Sequence, residues 1–347
     1  MVRTGAYAYV NYGWESTFGG TASAMTKSFG LKTAITGMTL GTNRQSLYKL
    51  GQVEPEKYFY GQQTGTLGLD FVLGDVTSGE VFRAIYGYSD QANQNMAAGT
   101  AGDPHIFGSD TGSGSTKSFA NQSFSTELGF AGETETMVRT FKGCILNGLG
   151  ITATVGDVVK CTGDVIFGKE DNPSSSGHSD DATEASQPFT FAHGTFTLNN
   201  GVQTQIQDVD INFAQNGELL YALGTNQSVA GIKKTLDITG RFKVAWKDNQ
   251  GIEATVAQLV GTNYKETWGD KYSGAPEFEL IFAKLGVVSG GSNDGDPVVA
   301  SGQKFIKITG KGLGITDHNI SGLEPIEAVF EELNWAIKSA KITVVNA

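Results

Sequence analysis

The chain has 347 residues, a net charge of −11, and 47 glycines against only 7 prolines. The length fits two domains. The glycines show no three-residue period, which excludes collagen. No run approaches 18 apolar residues, so no membrane-spanning helix is expected, and the clustered Lys and Arg that a nucleic-acid-gripping protein needs are missing.

Taken in chain order, residues 1–31 are aromatic and glycine-rich (Tyr7, Tyr9, Tyr12, Trp14, Phe18) and read as an irregular arm without a clear period. A terminal strand packed on its own domain is the plainer alternative. No basic region followed by an apolar run opens the chain, so no secretory signal is expected and folding in a cytoplasm is. Residues 33–41 alternate weakly, as a strand does. Asn43 is expected to cap a short helix through Leu50, ended by Gly51. Residues 57–73 form a strand with Leu67, Leu69 and Phe71 on one face. Thr77 or Ser78 starts a short helix to Tyr86, ended by Gly87. Residues 88–123 are a polar, Gly/Ser-rich inserted loop. Strands at 124–130 and 134–146 lead through a turn at Gly148–Thr152 to a strand at 156–168. Cys144 and Cys161 lie symmetrically about a turn near residues 151–155 and are expected as two reduced core thiols, neighbours if a hairpin aligns them.

Residues 169–188, with Pro173-Ser174-Ser175-Ser176-Gly177 and five acids, read as a linker. Beyond it, strands are expected at 202–213, 234–247, 277–285 and 303–310. Short helices are expected at 217–223 and about 251–260, and a turn at 312–316. The closing segment is in conflict. Ile326, Val329, Phe330, Leu333 and Ile337 fall at helical spacing, but its counterpart in the first half is β-branched and strand-like. We favour strand.

That counterpart exists because the chain repeats itself. Leu47-Tyr48-Lys49-Leu50-Gly51 returns as Leu220-Tyr221-Ala222-Leu223-Gly224. Gly148-Leu149-Gly150-Ile151-Thr152 returns letter for letter at Gly312-Leu313-Gly314-Ile315-Thr316. Gly65 before Leu67–Phe71 matches Gly240 before Phe242–Trp246, and Ala84–Gly87 matches Gln258–Gly261. The period is domain-sized, far beyond the 20–50 residues of solenoids. The expected division is a first copy over 1–168, the linker 169–188 and a second copy over 189–347.

Little chemistry is advertised. His105, His178, His193 and His318 lack metal-ligand spacing, and His105 and His178 read as solvated loop residues. Gly112–Lys117 lacks the full phosphate-loop pattern. Ser292–Pro297 has part of a calcium loop but no distal glutamate. Glu133 and Glu135 sit two apart at a strand start, where solvated carboxylates are commonplace. An enzyme is not expected, nor a metal or cofactor.

The stretches Asn43–Gly51, Thr64–Leu73 and Cys144–Gly150, with their counterparts in the second half, resemble the major tail tube proteins of long-tailed bacteriophages. The resemblance covers most of the chain outside 88–123 and 169–188. It implies a mainly β fold: two tandem tail-tube-like β-sandwich or half-barrel domains with short flanking helices. It also implies that inner strands of neighbouring units join into a barrel around a lumen. Since one domain per chain gives hexameric rings in that family, two fused copies imply a homotrimer with pseudo-sixfold symmetry, in the virion tail. The implied partners are other copies of the chain, tail proteins at the tube ends, and DNA passing through the lumen without specific binding. Four inner strands per copy give roughly 24 per ring and a backbone diameter of roughly 50 Å, wide enough for duplex DNA. Asp70, Glu135 and Asp164 alternate with apolar neighbours and are expected to face the lumen, the other choice being an outer solvated face. The 1–31 arm and the 88–123 loop are expected to bridge rings. The rival readings are another phage or injection-system structural protein (capsid, decoration, baseplate or inner tube), a carbohydrate-binding β-sandwich using Tyr86, Tyr88 and Trp268, and a porin.

Overall fold

A computed structural model describes residues 8–22, 25–51, 53–87, 104–108, 122–130, 137–171, 186–198, 201–202, 205–245, 277–284, 304–321 and 329–346. In chain order the elements are β1 (Ala8–Trp14), β2 (Leu31–Leu47), β3 (Lys57–Val72), α1 (Ser78–Tyr86), β4 (His105–Gly108), β5 (Phe124–Phe130), β6 (Met137–Thr154), β7 (Lys160–Phe167) and β8 (Lys169–Glu170). A 3₁₀ turn at Phe191–His193 precedes β9 (Gly194–Leu198), β10 (Gly201–Val202), β11 (Ile206–Ala214), β12 (Glu218–Tyr221), β13 (Ser228–Ile232) and β14 (Asp237–Ala245). The last are β15 (Glu277–Ala283), β16 (Phe305–Lys311), β17 (Gly314–Ser321), β18 (Phe330–Ile337) and β19 (Ser339–Val345). The mainly β expectation holds.

One long antiparallel sheet runs β17-β18-β14-β11-β6-β7-β3-β2. A second layer contains β10-β9-β15-β16-β19-β4, and β1-β5 joins the first half of β6, which also pairs with β8. The 18-residue β6 serves both layers. Its first half pairs with β5 and its second with β7 and β11. The change of sheet falls at Gly143, whose φ of +63° suits glycine alone, with the Phe18 ring against it.

The core lies between the layers. Period-2 alternation sends Leu67, Leu69, Phe71, Val165, Val209, Ile211, Phe242, Leu333 and Trp335 to one face of the long sheet. They meet Phe278, Leu280, Ile306, Ile308, Ile342 and Val344 of the second layer in one cluster. Two aromatic plugs occupy comparable places. Gly65 sits opposite Phe167, and Gly240 sits opposite Trp335. A Cβ at either glycine would lie 2.0 Å from the Phe167 ring or 2.3 Å from the Trp335 ring, so only glycine lets the ring lie across the strand.

α1 follows its expectation residue for residue and stops at Gly87, φ +91°. It is buried along its whole length, so its charges are paired. Glu80 accepts from the Trp14 indole N–H (2.8 Å) and from Lys27 (2.5 Å), and Arg83 donates to Gln122 (2.9 Å). The C-terminal carbonyls of Ala84 and Ile85 accept from the buried Lys233 ammonium at 2.6 and 3.1 Å, and Gln215 adds a bond to Ile85.

Several expectations are corrected. The 1–31 arm contains β1, which pairs with β5 over its full length and buries Tyr12, because its aromatics find a core on one side. The helices expected at 43–50 and 217–223 are strands. Leu50 and Leu223 protrude into solvent, so a helix there would bury nothing, and Gly51 and Gly224 (φ +85° and +93°) turn hairpins instead of ending helices. Gly148–Thr152 is not a turn but the middle of β6, while its repeat begins with a real turn at Gly312, φ +70°. The 88–123 insertion contains β4, which pairs with β19. Cys161 lies opposite Ile151 and Cys144 opposite Phe124, so the cysteines are not cross-strand neighbours. Both are free and buried, and burial pushes both thiols well above their ordinary pKa. Residues 330–337 are strand, as favoured over the helical period. The helix expected at 251–260 lies outside the described residues.

Candidate assembly surfaces

The long sheet has a second face, turned away from the core, and there the charged residues gather. Asp70 alternates with the inward Leu69 and Phe71, and Asp164 with the inward Val165. Both are exposed. They stand on neighbouring strands in diagonal register, since Asp70 faces Thr162 and Asp164 faces Gly68. Gly148 flanks Asp164 on its other side, so no side chain of the adjoining strands covers it there. No ion pair joins either carboxylate among the described residues. Glu135, the third candidate, lies outside the described residues.

Further along the same face Arg241 is held by three carboxylates. Its guanidinium contacts Asp208 at 2.7 Å, Asp210 at 2.6 Å and Glu332 at 3.6 Å, and Lys243 comes within 3.9 Å of Glu332. Burial works against its charge, but Asp210, Asp208 and Glu332 outweigh it and raise its pKa above the usual guanidinium value. A cation saturated in this way has little left to offer a phosphate. The sequence reading missed this group. Its signal was present in the shared parity of Asp208-Val209-Asp210 and Arg241-Phe242-Lys243.

The sheet ends in two edges. Among the described residues β2 pairs only with β3, and β17 only with β18. At 17 residues β2 offers about 55 Å of outer edge without a partner among the described residues, and neither proline nor shortness blunts it. Two hairpins project nearby. The tip of β2–β3 carries Leu50 and Val53, and the tip of β12–β13 carries Leu223. Leu50 and Leu223 are 103% and 106% exposed, so both copies of the repeated Leu-Tyr-x-Leu-Gly motif present a leucine to solvent.

Other sequence candidates do not form a site. His105 is in β4 and buried rather than solvated. His193 bonds Thr190 within its own turn, and burial followed by the nearby Lys284 lowers its pKa. His318 lies in β17. Tyr86 is buried in the core, which removes it from a glycan platform. Tyr88, Trp268, His178, Glu133, Gly112–Lys117 and Ser292–Pro297 lie outside the described residues. Among the described residues no three His, Cys, Asp or Glu side chains form a group fit for a metal, and no helix is long and apolar enough to cross a membrane.

A two-layer β protein with long open sheet edges and leucine-tipped hairpins is built as a subunit for assembly. The family profile described as "Phage tail tube protein" matches residues 5–267. The chain belongs to that family: it is a structural protein of the bacteriophage tail tube, it self-assembles and meets other tail proteins there, and its place is the virion tail. No curated protein matches the chain.

Proposed function

We propose that the chain is a tandem duplication whose three copies close into a pseudo-hexameric ring, and that stacked rings form the conduit through which DNA is ejected. Strand order carries this reading. Along the long sheet the first half contributes β2-β3-β7-β6 and the second β11-β14-β18-β17. The repeated sequences align these strands one to one, in the same order, so the halves follow each other head to tail. The internal junction is the antiparallel pair β6–β11. The same junction, made between chains, joins β17 of one to β2 of the next and leaves no edge. A head-to-tail contact of this kind closes when its rotation permits. Eight strands per chain give 24 in a trimer. The second layer supports the same alignment, since β1-β5-β6-β8 parallels β9-β15-β16-β19. The domain boundaries are then 1–168 and 189–347 around the linker 169–188, whose first residues form β8 against the first copy.

The face bearing Asp70, Asp164 and the saturated Arg241 lines the bore, so phosphate meets carboxylates and slides. The leucine tips, equally bare in both copies, meet the next ring. Native mass spectrometry with negative-stain averages tests this. We expect a three-chain particle with an open centre and six similar lobes. A six-chain ring, or a particle without a bore, overturns it.

A further inference from the structure

The two hairpins are equivalent in sequence but differ in surroundings. β12–β13 is seated within its own chain. Gly231 closes over Ile145 and Phe18, so that a Cβ there would lie 2.0 Å from Ile145 Cδ1. The Gly217 N–H donates to Asn147 Oδ1 at 2.6 Å. The Tyr221 hydroxyl donates to the Gln63 carbonyl of β3 at 2.6 Å, and the Gln63 N–H donates to the Asn226 carbonyl at 2.8 Å. This hairpin therefore lies across Ile145–Asn147 in mid-β6, Ile166 near the end of β7 and Gln63 of β3. The shaft of β2–β3 has no such seat. Leu47, Tyr48, Tyr58 and Phe59 are about half or more exposed, and Tyr48 (63%) is far barer than its repeat Tyr221. Their tips are equally bare, so the difference is confined to the shaft.

We infer that the β2–β3 shaft is a lateral docking arm. It seats on a second copy of this chain, across the end of the sheet where β17 begins at Gly314, β18 ends at Ile337 and β14 begins at Asp237. The inference rests on the ring reading above, because β17, β18 and β14 are the strands that answer to β6, β7 and β3. The arm is continuous with the β2 edge, so strand pairing delivers it to that place. Tyr48 takes the part of Tyr221 and donates to a backbone carbonyl at the start of the neighbour's β14. The internal contact is thus the template for the contact between chains.

The test mixes two singly substituted full-length chains, Tyr48→Cys and Asp237→Cys, before assembly and treats them with a short bismaleimide. Cys144 and Cys161 are buried and stay unreactive. A link between different chains is expected in assembled material, and none with either chain alone. In parallel, Tyr48→Ser with Phe59→Ser is expected to raise the concentration for half-assembly about tenfold. Its thermal unfolding as a single chain should be unchanged, because both side chains are already exposed there. Rings that form without the link, and assemble equally well with Tyr48→Ser and Phe59→Ser, overturn the docking arm and leave the ring standing. Wild-type protein that forms no ring removes both.

Discussion

Gly65→Ala probes the packing device that both halves share. The new methyl would lie 2.0, 2.2 and 2.4 Å from three carbons of the Phe167 ring, where ordinary contact begins near 3.5 Å. Phe167 is fully buried with Phe141 against it at 4.9 Å, so the ring cannot swing aside. β3 is paired on both sides and cannot lift. Overpacking of this kind costs about 1–3 kcal/mol, and we place it at the upper end. Alanine restricts the unfolded chain and returns about 0.5 kcal/mol. The net expectation is a loss of about 2 kcal/mol. The control is Gly37→Ala in β2, where nothing lies within 4 Å of the new methyl and only the unfolded-state gain applies. The assay is equilibrium urea unfolding at concentrations where single chains predominate, followed by tryptophan emission. Phe167→Leu should restore room, so the double variant Gly65→Ala/Phe167→Leu should be more stable than the sum of the singles by about 1 kcal/mol. Gly65→Ala proving as harmless as Gly37→Ala, or a cycle with no coupling, would refute the reasoning.

Burial lowers the Lys233 pKa to about 7 from an ordinary 10.5. Below pH 7 both folded and unfolded chains carry its proton and the burial penalty is complete; above 10.5 neither does and the penalty is gone. Wild-type stability should therefore rise relative to Lys233→Met between these limits, and urea midpoints that stay parallel at pH 7 and pH 9.5 would contradict it. Glu15 accepts from Gly19 N–H, Ser123 Oγ, Ser125 Oγ and Gly143 N–H at 2.6–2.9 Å, so Glu15→Ala should cost about 3 kcal/mol by chemical denaturation, with Glu15→Gln losing less. Asp70→Lys with Asp164→Lys should leave assembly intact but make the particles retain duplex DNA at low salt and release it at high salt; assembled variants that ignore DNA at low ionic strength would argue against a bore lined by this face.

Much of the fold was legible because period-2 burial is a strong signal. Leu67, Leu69 and Phe71 declared the face of β3, and the Thr77–Gly87 segment declared both ends of α1. The errors share one physical source. Leu-Tyr-x-Leu-Gly looks like the last turn of a helix, since apolar residues followed by glycine end many helices. Nothing in the segment says that its leucine has no core to meet. Exposure of Leu50 and Leu223 is explained by the proposed ring contact, and a single-chain pattern cannot announce it. Gly148–Thr152 and Gly312–Thr316 make the same point. Identical letters run straight in β6, which is clamped between β7 and β11, and open on a turn in the second half, where Gly312 takes φ +70° and the Lys338 N–H donates to the Lys311 carbonyl. The acidic face was legible by parity at Asp70 and Asp164. The Arg241 cluster needed the register of three strands separated by long stretches of chain.

That cluster also bears on how the proposed DNA conduit can contain arginine at all. An uncompensated guanidinium repeated around a bore would bind the phosphate backbone and stall it. Here the two cations of β14 on this face, Arg241 and Lys243, face three carboxylates, Asp208, Asp210 and Glu332. Alignment on Gly65 and Gly240 sets Thr66 and Gly68 of the first half where the second has Arg241 and Lys243. The first half thus keeps Asp70 and Asp164 bare while Lys160, on the same face of β7, is paired with Asp157, and the second keeps its cations on this face inside an excess of carboxylates. In the proposed ring both kinds of sector present net negative charge to phosphate, by different means. The proposed duplication permits that divergence, because a ring of single-domain subunits must repeat one solution six times, whereas a fused pair can hold two.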